Sequence, residues 1–377
     1  MSYAKNIPLL YIYNVLIKRV SMPIIVLYFL FHNLSFTQIG IFAAVTSFIT
    51  LATEIPGGMF ADVKGKKYSL ILSAVFGLLT MLLFFIGDGF VMFLLAAIAY
   101  GFSGTFITGT RAALLFDTLK KLKRTSEFKK YNGRLLFYSH FFNALILIPI
   151  PFIYSINEKL PFLIGIFFFV GAIIMSCLMK EPRPDAKQNY LQTFKNAVKE
   201  SRNPNIMVFL LLIMVTASFI LVASKFIQPM LQISGLEIIY FGIIYALMRM
   251  LTGSGGFFVH RFHKLGLWFG IILLAIGIFG LSMGAGVIII IAILLIKFAE
   301  GYNRIYLDDK INQSIKSSRT TILSISNFLR SLFYGILIFI FGMVADVTGV
   351  QPMFIYVLIA FLVFIIPLLI VMKQKRL

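Results

Sequence analysis

Long apolar runs, separated by short polar joints, recur along the whole chain. Each run has about the length that an α-helix needs to cross the hydrocarbon core of a membrane. The runs do not alternate as the strands of a β-barrel do, so helices must satisfy the buried backbone groups. The pattern predicts an all-α polytopic membrane protein with twelve transmembrane helices. The predicted spans are 8–31, 36–60, 68–87, 90–115, 135–154, 160–179, 206–230, 236–259, 266–284, 286–306, 320–343 and 352–372.

The composition supports membrane embedding and excludes an ordinary soluble fold. Hydrophobic residues make up 60% of the 377 residues and charged residues 13%, against about 25% charged residues in soluble domains. A soluble protein of this length could not hide so much apolar surface from water. The single cysteine, Cys177, excludes an internal disulfide and is interpreted as an apolar packing residue.

The basic residues predict the orientation of the chain. The formal net charge is +20, and basic residues crowd the joints of one side, as in residues 120–130. Among the joints predicted to face outward, only Lys159 is basic. By the positive-inside rule, both termini are cytoplasmic and the protein lies in the cell (plasma) membrane. Because these charges sit beside anionic headgroups, we expect the lipid bilayer as a partner and no nucleic acid.

The longest polar segment divides the chain into two nearly equal parts. It is KEPRPDAKQNYLQTFKNAVKESRNPN, residues 180–205, and it contains a predicted amphipathic surface helix. We predict an N-terminal six-helix bundle over 1–180, a cytoplasmic linker over 181–205 and a C-terminal six-helix bundle over 206–377. This arrangement is typical of secondary transporters built from parallel repeats.

A short charged stretch, GGMFADVKGKK at residues 57–67, interrupts the apolar chain between the second and third spans. Its glycines would allow close approach of a neighbouring helix and a tight turn. Its carboxylate can complement the positive end of an adjacent helix, and its lysines would face the cytoplasmic headgroups. The stretch predicts a compact inner turn, built from Gly58, Asp62, Gly65, Lys66 and Lys67.

A second stretch shares this spacing of Gly, Ala-Asp and Gly. GMFADVKG occupies 58–65, and GMVADVTG occupies 342–349. The first follows span two on the predicted inner side, whereas the second follows span eleven on the predicted outer side. A half-to-half repeat would place them differently, so we interpret the similarity as one turn device used twice.

The inner stretch has a specific resemblance. Gly58-x-Phe60-Ala61-Asp62-x-x-Gly65-Lys66-Lys67 resembles the signature loop of the major facilitator superfamily, which lies between the second and third spans of that family. The resemblance implies two six-helix bundles that rock around a central site in alternating access. It implies that the loop stabilises the outward-facing state through contacts with span eleven. Asp62 would be the conformational-switch carboxylate, Gly58 the close-packing site and Lys66 the basic partner.

Three further segments narrow the resemblance to a bacterial efflux-type branch. They are Glu54-Ile55-Pro56, GTRAALLFDTL at 109–119 and INQSIKSSRTTILSISN at 311–327. Two features of many drug exporters are missing. Arg111 lies nearer the cytoplasmic end of span four than the arginine of proton-coupled exporters, and span five lacks the Gly-Pro-rich signature of drug antiporters. The proton-antiport mechanism therefore stays open.

Apart from Arg304, at the inner end of span ten, seven basic residues lie inside predicted spans. Burying any of them in lipid would cost a few kcal/mol or more, so each should face a cavity or a partner. Spans three, six, nine and twelve carry none, which fits the outer supporting helices of the superfamily. Arg111 and Lys225 lie near enough to span ends to reach the headgroups. The seven are Lys18, Arg19, Arg111, Lys225, Arg249, Lys297 and Arg330.

These cations outnumber the carboxylates at depth, so the sequence predicts a cationic substrate cavity. For any single residue, a structural ion pair or carbonyl contact is the alternative. Lys18 and Arg19 diverge by about 100° on a helix, so one of the two should face the cavity. Polar residues of span five are further candidates, with helix packing as their alternative. The candidate cavity residues are Lys18, Arg19, His140, Asn143, Arg249, Lys297 and Arg330.

Two carboxylates inside the spans are candidates for proton coupling, Glu54 and Glu300. Lys297, Glu300 and Arg304 share one helical face at i, i+3 and i+7, so Glu300 can be a structural ion-pair partner. A nearby cation favours the ionised carboxylate, whereas desolvation disfavours it. We therefore rank Glu54 above Glu300 for proton exchange.

The sequence favours a secondary active transporter, a proton-coupled exporter of a small anionic or amphipathic organic molecule. A multidrug efflux pump for neutral or cationic drugs is the alternative. A sensor, a lipid scramblase and a membrane-embedded lipid enzyme are alternatives from other classes. HExxH, Gly-x-Ser-x-Gly and Walker motifs are missing from the sequence, so we expect no enzyme, no catalytic residue and no cofactor. His260 and His263 make a poor metal site, and we expect a monomer without metal.

Overall fold

The structure is a computed structural model that describes residues 3–182, 203–259, 266–283, 285–314 and 319–374. In these ranges the chain folds into α-helices joined by short turns, which confirms the predicted all-α membrane fold. The helices are α1 (Asn6–Leu16), α2 (Ile25–Phe31), α3 (Phe36–Lys64), α4 (Lys66–Ile86), α5 (Phe90–Ile107), α6 (Thr110–Lys121), α7 (Phe128–Leu147), α8 (Ile150–Ile156), α9 (Leu160–Leu178), α10 (Pro204–Lys225), α11 (Ile227–Ile233), α12 (Phe241–Phe258), α13 (Gly266–Met283), α14 (Gly286–Ser314), α15 (Arg319–Thr348) and α16 (Val350–Gln374).

Eleven helical segments of the described chain are long and apolar enough to cross a membrane. They coincide with predicted spans two to twelve. The predicted first span, 8–31, is divided instead, because α1 has 11 residues, α2 has 7, and residues 17–24 between them are not helical. A membrane-spanning helix needs about 20 residues. The described chain therefore gives eleven candidate spans rather than the predicted twelve.

Predicted span seven also contains a helix break, which lies near its end rather than in its middle. α10 ends at Lys225 and α11 begins at Ile227. In spans one and seven a proline follows a basic residue by four positions, Pro23 after Arg19 and Pro229 after Lys225. Since proline has no N–H, it cannot donate the helical hydrogen bond to the carbonyl four residues earlier. The same local chemistry favours an interruption in both spans.

The chain divides into two compact units. Unit 1 comprises residues 1–34, 45–186 and 238–245. Its helices α4, α5 and α9 pack around buried aromatic rings, and Ser73 and Ser103 exchange hydroxyl-to-carbonyl hydrogen bonds of 2.8 Å each. Such bonds satisfy polar groups between helices where water is excluded. The rings of this cluster are Tyr28, Phe29, Phe84, Phe93 and Phe162.

Unit 2 comprises residues 35–44, 187–237 and 246–377. Its core is built around Phe219 of α10, whose fully buried ring contacts the rings of Phe333 and Phe361. Helices α12 and α14 approach so closely that a Cβ on Gly301 would collide with the backbone carbonyl of Thr252. Glycine permits this approach because it has no side chain.

The two units differ from the predicted halves in two short segments. Residues 35–44, from the first half of the chain, belong to unit 2, and residues 238–245, from the second half, belong to unit 1. Helix α3 is continuous across residues of both units. The predicted bundle boundaries stay predictions, and the predicted amphipathic linker helix lies outside the described residues.

Candidate functional site

Two of the predicted cavity cations lie in unit 1, where the first span is interrupted. Lys18 and Arg19 lie in the non-helical segment between α1 and α2, so their expected 100° divergence along one helix is wrong. The guanidinium carbon of Arg19 lies 3.3 Å from the ring centroid of Tyr100 on α5. A guanidinium stacked on an aromatic ring keeps its N–H donors at its edge, where they can bind an anionic group.

Three other polar residues of unit 1 have different surroundings. Arg111 of α6 donates a hydrogen bond to the side-chain oxygen of the buried Asn14. His140 and Asn143 are both on α7, but the His140 side chain is exposed and Asn143 is buried. The structure therefore does not give the two span-five residues one shared environment.

Unit 2 contains a cavity of about 340 Å³ between α10, α14 and α15, lined by both polar and apolar side chains. Two predicted residues line it, Glu300 and Arg330. Arg249 and Lys297 are not among its lining residues, and Arg249 is an exposed residue of α12. The other polar lining residues are Thr216, Asn303, Arg304, Asp308, Ser326 and Asn327.

Asp308 is a cavity residue that the sequence analysis missed. It continues the helical face of Lys297, Glu300 and Arg304 by one more step of four residues, a spacing that could have identified it. Arg304 Nε lies 3.9 Å from the Asp308 carboxylate. We call the row of charged residues Lys297, Glu300 and Arg304 on α14 the ladder. The ladder therefore extends to Asp308.

Lys297 begins this ladder as a buried cation. Its Nζ lies 2.7 Å from the Glu300 carboxylate and donates a 2.7 Å hydrogen bond to the Ser224 hydroxyl. This region of unit 2 has a formal charge of 3 − 2 = +1. The three cations are Lys297, Arg304 and Arg330, and the two carboxylates are Glu300 and Asp308.

The inner turn is built around a glycine that no other residue could replace without strain. Gly65 joins α3 to α4 with φ of +119°, and a Cβ there would lie 2.8 Å from Cδ of Glu181. The Glu181 carboxylate accepts hydrogen bonds from the backbone N–H of Lys66 at 3.0 Å and of Lys67 at 2.6 Å. Glu181 thus caps the first N–H groups of α4, where a negative charge is favourable.

The two lysines of the turn bind protein groups. Lys66 Nζ pairs with the Asp117 carboxylate of α6, and Lys67 Nζ donates a 2.6 Å hydrogen bond to the Cys177 carbonyl. The expectation that both face the headgroups is therefore wrong, because carboxylate and carbonyl acceptors of unit 1 lie within reach. Sequence reasoning missed Glu181, since the first residue of a linker gives no local signal of its partner.

The close-packing role expected for Gly58 is also wrong in this structure. A Cβ on Gly58 would meet no atom within 4 Å, whereas a Cβ on Gly57 would collide with the Thr105 side chain of α5. The closely packed glycine is therefore Gly57. The two residues lie about 100° apart around the helix, which directs them to different surroundings.

Burial raises the pKa of two carboxyl groups at this turn. Asp62 is partly buried, and desolvation raises its pKa above the ordinary range, with Lys66 opposing and Asp117 adding to the rise. Desolvation also raises the pKa of Glu181, although the N–H groups of Lys67 and Lys66 oppose it. Both groups therefore hold a proton at higher pH than an exposed carboxyl does.

Comparisons with known proteins agree with this architecture. The sequence matches the family model described as Major Facilitator Superfamily over residues 9–336. A curated Bacillus subtilis (strain 168) protein, the uncharacterized MFS-type transporter YxaM, is 29% identical over 234 residues, 60% of this chain. The match spans only 58% of that relative's length.

Solved structures share the fold over nearly the whole chain. A mutant of the nucleoside transporter NupG has a TM-score of 0.80, with 11% identity and 99% coverage of each chain. A bacterial homologue of the human lysosomal transporter Spinster, crystallised inward-facing and unoccupied, has a TM-score of 0.72. Its identity is 16%, covering 96% of this chain and 94% of that one. At these identities the likeness concerns the fold alone.

Proposed function

This chain belongs to the Major Facilitator Superfamily, and we propose that it is a proton-coupled secondary transporter that exports a small organic molecule with an anionic group. The proposed mechanism is alternating access, in which two bundles expose a central site to each side in turn. We further propose that the protein works as a monomer in the plasma membrane with both termini in the cytoplasm. The basic joints support that orientation.

The cavity of unit 2, with its two arginines, is the observation that carries the substrate class. Arg330 and Arg304 line it together with Glu300 and Asp308. The neighbouring Lys297, which does not line the cavity, brings the formal charge of this region to +1. An arginine can bind a carboxylate or phosphate through two parallel hydrogen bonds. The field of a cation is also stronger between the dry walls of a membrane protein than in water. Asn303 and Asn327 add donors and acceptors for the polar remainder of the substrate.

The interrupted spans support substrate binding in both units. Arg19 of unit 1 lies in a non-helical segment, and Lys225 of unit 2 is the last residue of α10, directly before a helix break. Short or interrupted hydrophobic segments at corresponding positions of two halves are typical of transporter binding sites. Tyr100, stacked on Arg19, would hold the guanidinium ready for the anionic group.

For proton coupling we propose Glu54 ahead of Glu300. The Glu300 carboxylate lies 2.7 Å from the ammonium group of Lys297, and this contact supports a structural ion-pair role for Glu300. Glu54 is partly buried on α3, two turns before Asp62. If the Glu54→Gln variant keeps transport driven by a pH gradient and the Glu300→Gln variant loses it, this order is reversed.

The test is transport by purified protein in proteoliposomes under an imposed pH gradient. Three probes separate the substrate classes: an aromatic carboxylate, the lipophilic cation ethidium and the neutral nucleoside uridine. We expect gradient-dependent transport of the carboxylate, and a reduction of about tenfold in Arg330→Ala, because a charge-assisted hydrogen bond is lost. Arg124→Ala is the matched control, since Arg124 lies in an exposed joint and pairs with Glu127.

Two results would contradict the proposal. If ethidium is transported as well as the carboxylate and Arg330→Ala changes neither rate, the site is a multidrug pocket. If uridine alone is transported, the substrate is a neutral polar molecule and the charge of the cavity serves the structure of unit 2.

A further inference from the structure

The histidine at the end of α2 contacts a carboxylate of the joint between α4 and α5. His32 is the C-cap residue of α2, and its Nδ1 lies 2.5 Å from Oδ1 of Asp88. Both residues belong to unit 1. The His32 side chain is 10% exposed, whereas the Asp88 side chain is 80% exposed. A buried imidazole is thus joined to an exposed carboxylate, and we refer to the two side chains as the His32–Asp88 pair.

The second ring nitrogen of His32 lies in a different environment. Nε2 is buried and has no hydrogen-bond partner among the described residues. When a neutral imidazole donates its Nδ1–H to a carboxylate, Nε2 carries no proton and is only an acceptor. A buried polar atom without a partner costs free energy. Nε2 is therefore the atom at which this ring can take up a proton while its contact with Asp88 is kept.

Aromatic rings surround the buried imidazole. The centroid of the Tyr28 ring lies 4.4 Å from that of His32, and the rings of Phe31 and Phe93 lie at 5.4 Å each. The π electrons of a ring within about 6 Å can stabilise a cation. The carbonyl end of a helix also favours a positive charge, and His32 lies at that end of α2. These surroundings can accommodate an imidazolium without a buried acceptor for Nε2.

The other titratable groups near His32 act through Tyr28. Tyr28 faces His32 from its own helix, and its hydroxyl donates a 2.6 Å hydrogen bond to the Phe84 carbonyl. Glu158, which follows α8, and Tyr154 of α8 act electrostatically on Tyr28. Asp88 is the carboxylate in direct contact with the imidazole. The charge of Asp88 should therefore affect the protonation of His32 more than the charge of Glu158 does.

We propose that the His32–Asp88 pair is a proton-binding site that ties the end of α2 to the joint between α4 and α5. Imidazole ordinarily changes its charge between pH 5 and 8. The proton adds to Nε2 of the neutral ring, and the Nδ1–H contact with Asp88 changes from a hydrogen bond of a neutral donor into an ion pair. Such a contact is stronger when both partners are charged. Proton uptake therefore strengthens the tie between two parts of unit 1.

The test is a pH titration of the full chain in nanodiscs, followed by NMR of ¹³C-labelled histidine side chains. The His32 resonance is identified by its loss in His32→Gln. We expect this resonance to titrate, and Asp88→Asn to lower the affinity of His32 for the proton about fivefold. The factor is modest because water screens a carboxylate that is 80% exposed. Asparagine has nearly the shape of aspartate, so the variant should elute as folded protein.

Two controls separate the pair from a general change of charge. Glu158→Gln removes the carboxylate that acts on Tyr28, and it should lower the proton affinity of His32 by less than about twofold. His140, an exposed residue of α7, should keep its titration in both variants.

Hydrogen exchange measures the tie at the end of α2. The N–H groups of Asn33 and Leu34 donate 3.0 Å hydrogen bonds to the carbonyls of Leu30 and Phe29, so their exchange reports opening of this end. The ratio of the Asp88→Asn rate to the parent rate at one pH removes the intrinsic pH dependence of exchange. We expect a ratio of about five near pH 5 and a smaller ratio near pH 8, because the ion pair exists only when His32 is protonated.

The outcomes separate this site from the proposed transport. If His32 does not titrate, or titrates identically in parent and folded Asp88→Asn protein, the proton-binding site is wrong, whether or not the protein transports a substrate. Equal exchange ratios at both pH values would overturn the tie between proton uptake and the end of α2. If the titration and exchange follow the expectation while no substrate is transported, the site stands and the proposed function fails.

Discussion

At the scale of single residues, the inner turn is held by long-range partners of its polar groups. Lys66 pairs with Asp117 through its side chain, while its backbone N–H donates to Glu181. Asp62 lies close enough to Lys66 and Asp117 for both charges to affect its pKa. These residues come from α3, α4, α6 and the chain after α9, so one small polar cluster joins four parts of unit 1.

Asp62→Asn should impair transport and leave membrane insertion unchanged. The charge acts on the equilibrium between transport states, so its loss removes a contact that differs between them. We expect a transport rate reduced about fivefold or more, within the usual range of coupling energies. Transport in proteoliposomes and elution of the purified protein measure the two effects, with the exposed Asp309→Asn as control. Normal transport by a folded Asp62→Asn protein would remove the switch role of this carboxylate.

Glu181→Gln should change how stability depends on pH. The raised pKa means that the folded protein holds a proton on Glu181 at a pH where the unfolded chain has lost it. Stability should therefore fall as pH rises from about 4.5 through the raised pKa. Glutamine has no proton to lose, so thermal unfolding of the variant should show a smaller decline across this range. The exposed Glu237→Gln should keep the parent slope, and an unchanged slope in Glu181→Gln would contradict the assignment.

At the scale of helices, local backbone chemistry decides where spans break and turn. Pro23 and Pro229 remove the hydrogen bond to the carbonyl of a basic residue four positions earlier, and the helix is interrupted in both spans. Gly65 permits the turn between α3 and α4, because it adopts a φ of +119° that is disfavoured for residues with a side chain.

Gly65→Ala and Gly58→Ala form a matched pair of substitutions at this joint. Gly65→Ala should lower stability by about 1–3 kcal/mol, because alanine is strained at this φ and its Cβ meets Glu181. Gly58→Ala should be neutral or stabilising by up to about 1 kcal/mol, since its Cβ meets no atom and alanine favours a helix. Thermal unfolding in detergent measures both. A larger loss in Gly58→Ala than in Gly65→Ala would restore the close-packing role of Gly58.

At the scale of the whole molecule, each compact unit contains a segment from the other half of the chain. Residues 35–44 complete unit 2, and residues 238–245 complete unit 1. Within unit 1, a Cβ on Gly242 would collide with the Ile148 carbonyl, so this borrowed segment packs closely at the backbone. The halves of the sequence are therefore not the compact units of the fold.

The two halves should consequently need each other to fold. When the chain is cut inside the predicted linker, residues 181–205, each half lacks a segment of its own unit. We expect the separately tagged halves to copurify when coexpressed, and to give little monodisperse protein when expressed alone. Copurification and thermal unfolding measure this. Two halves that are each stable alone and do not associate would show that the borrowed segments contribute nothing to either unit.

The sequence by itself determined the membrane class, the span positions and the family. Run length alone places spans two to twelve, because the thickness of the hydrocarbon core requires about 20 apolar residues in a helix. The spacing of Gly58, Asp62, Gly65 and Lys66 identifies the signature loop, since these residues are neighbours along the chain. Information carried by local spacing is readable without a structure.

Only the tertiary structure decided which distant groups meet. It paired Lys66 with Asp117 and Glu181, and it placed Gly57 rather than Gly58 in close contact with α5. It also brought Asp346 to the first turn of α3. Asp308 of the unit 2 cavity differs from these, because its spacing from Arg304 could have identified it from the sequence. In a chain so rich in apolar residues, many helix pairings would bury similar surface, so hydrophobic pattern does not select among them. The pairing is selected by close glycine packing and by polar groups that need a partner where water is excluded.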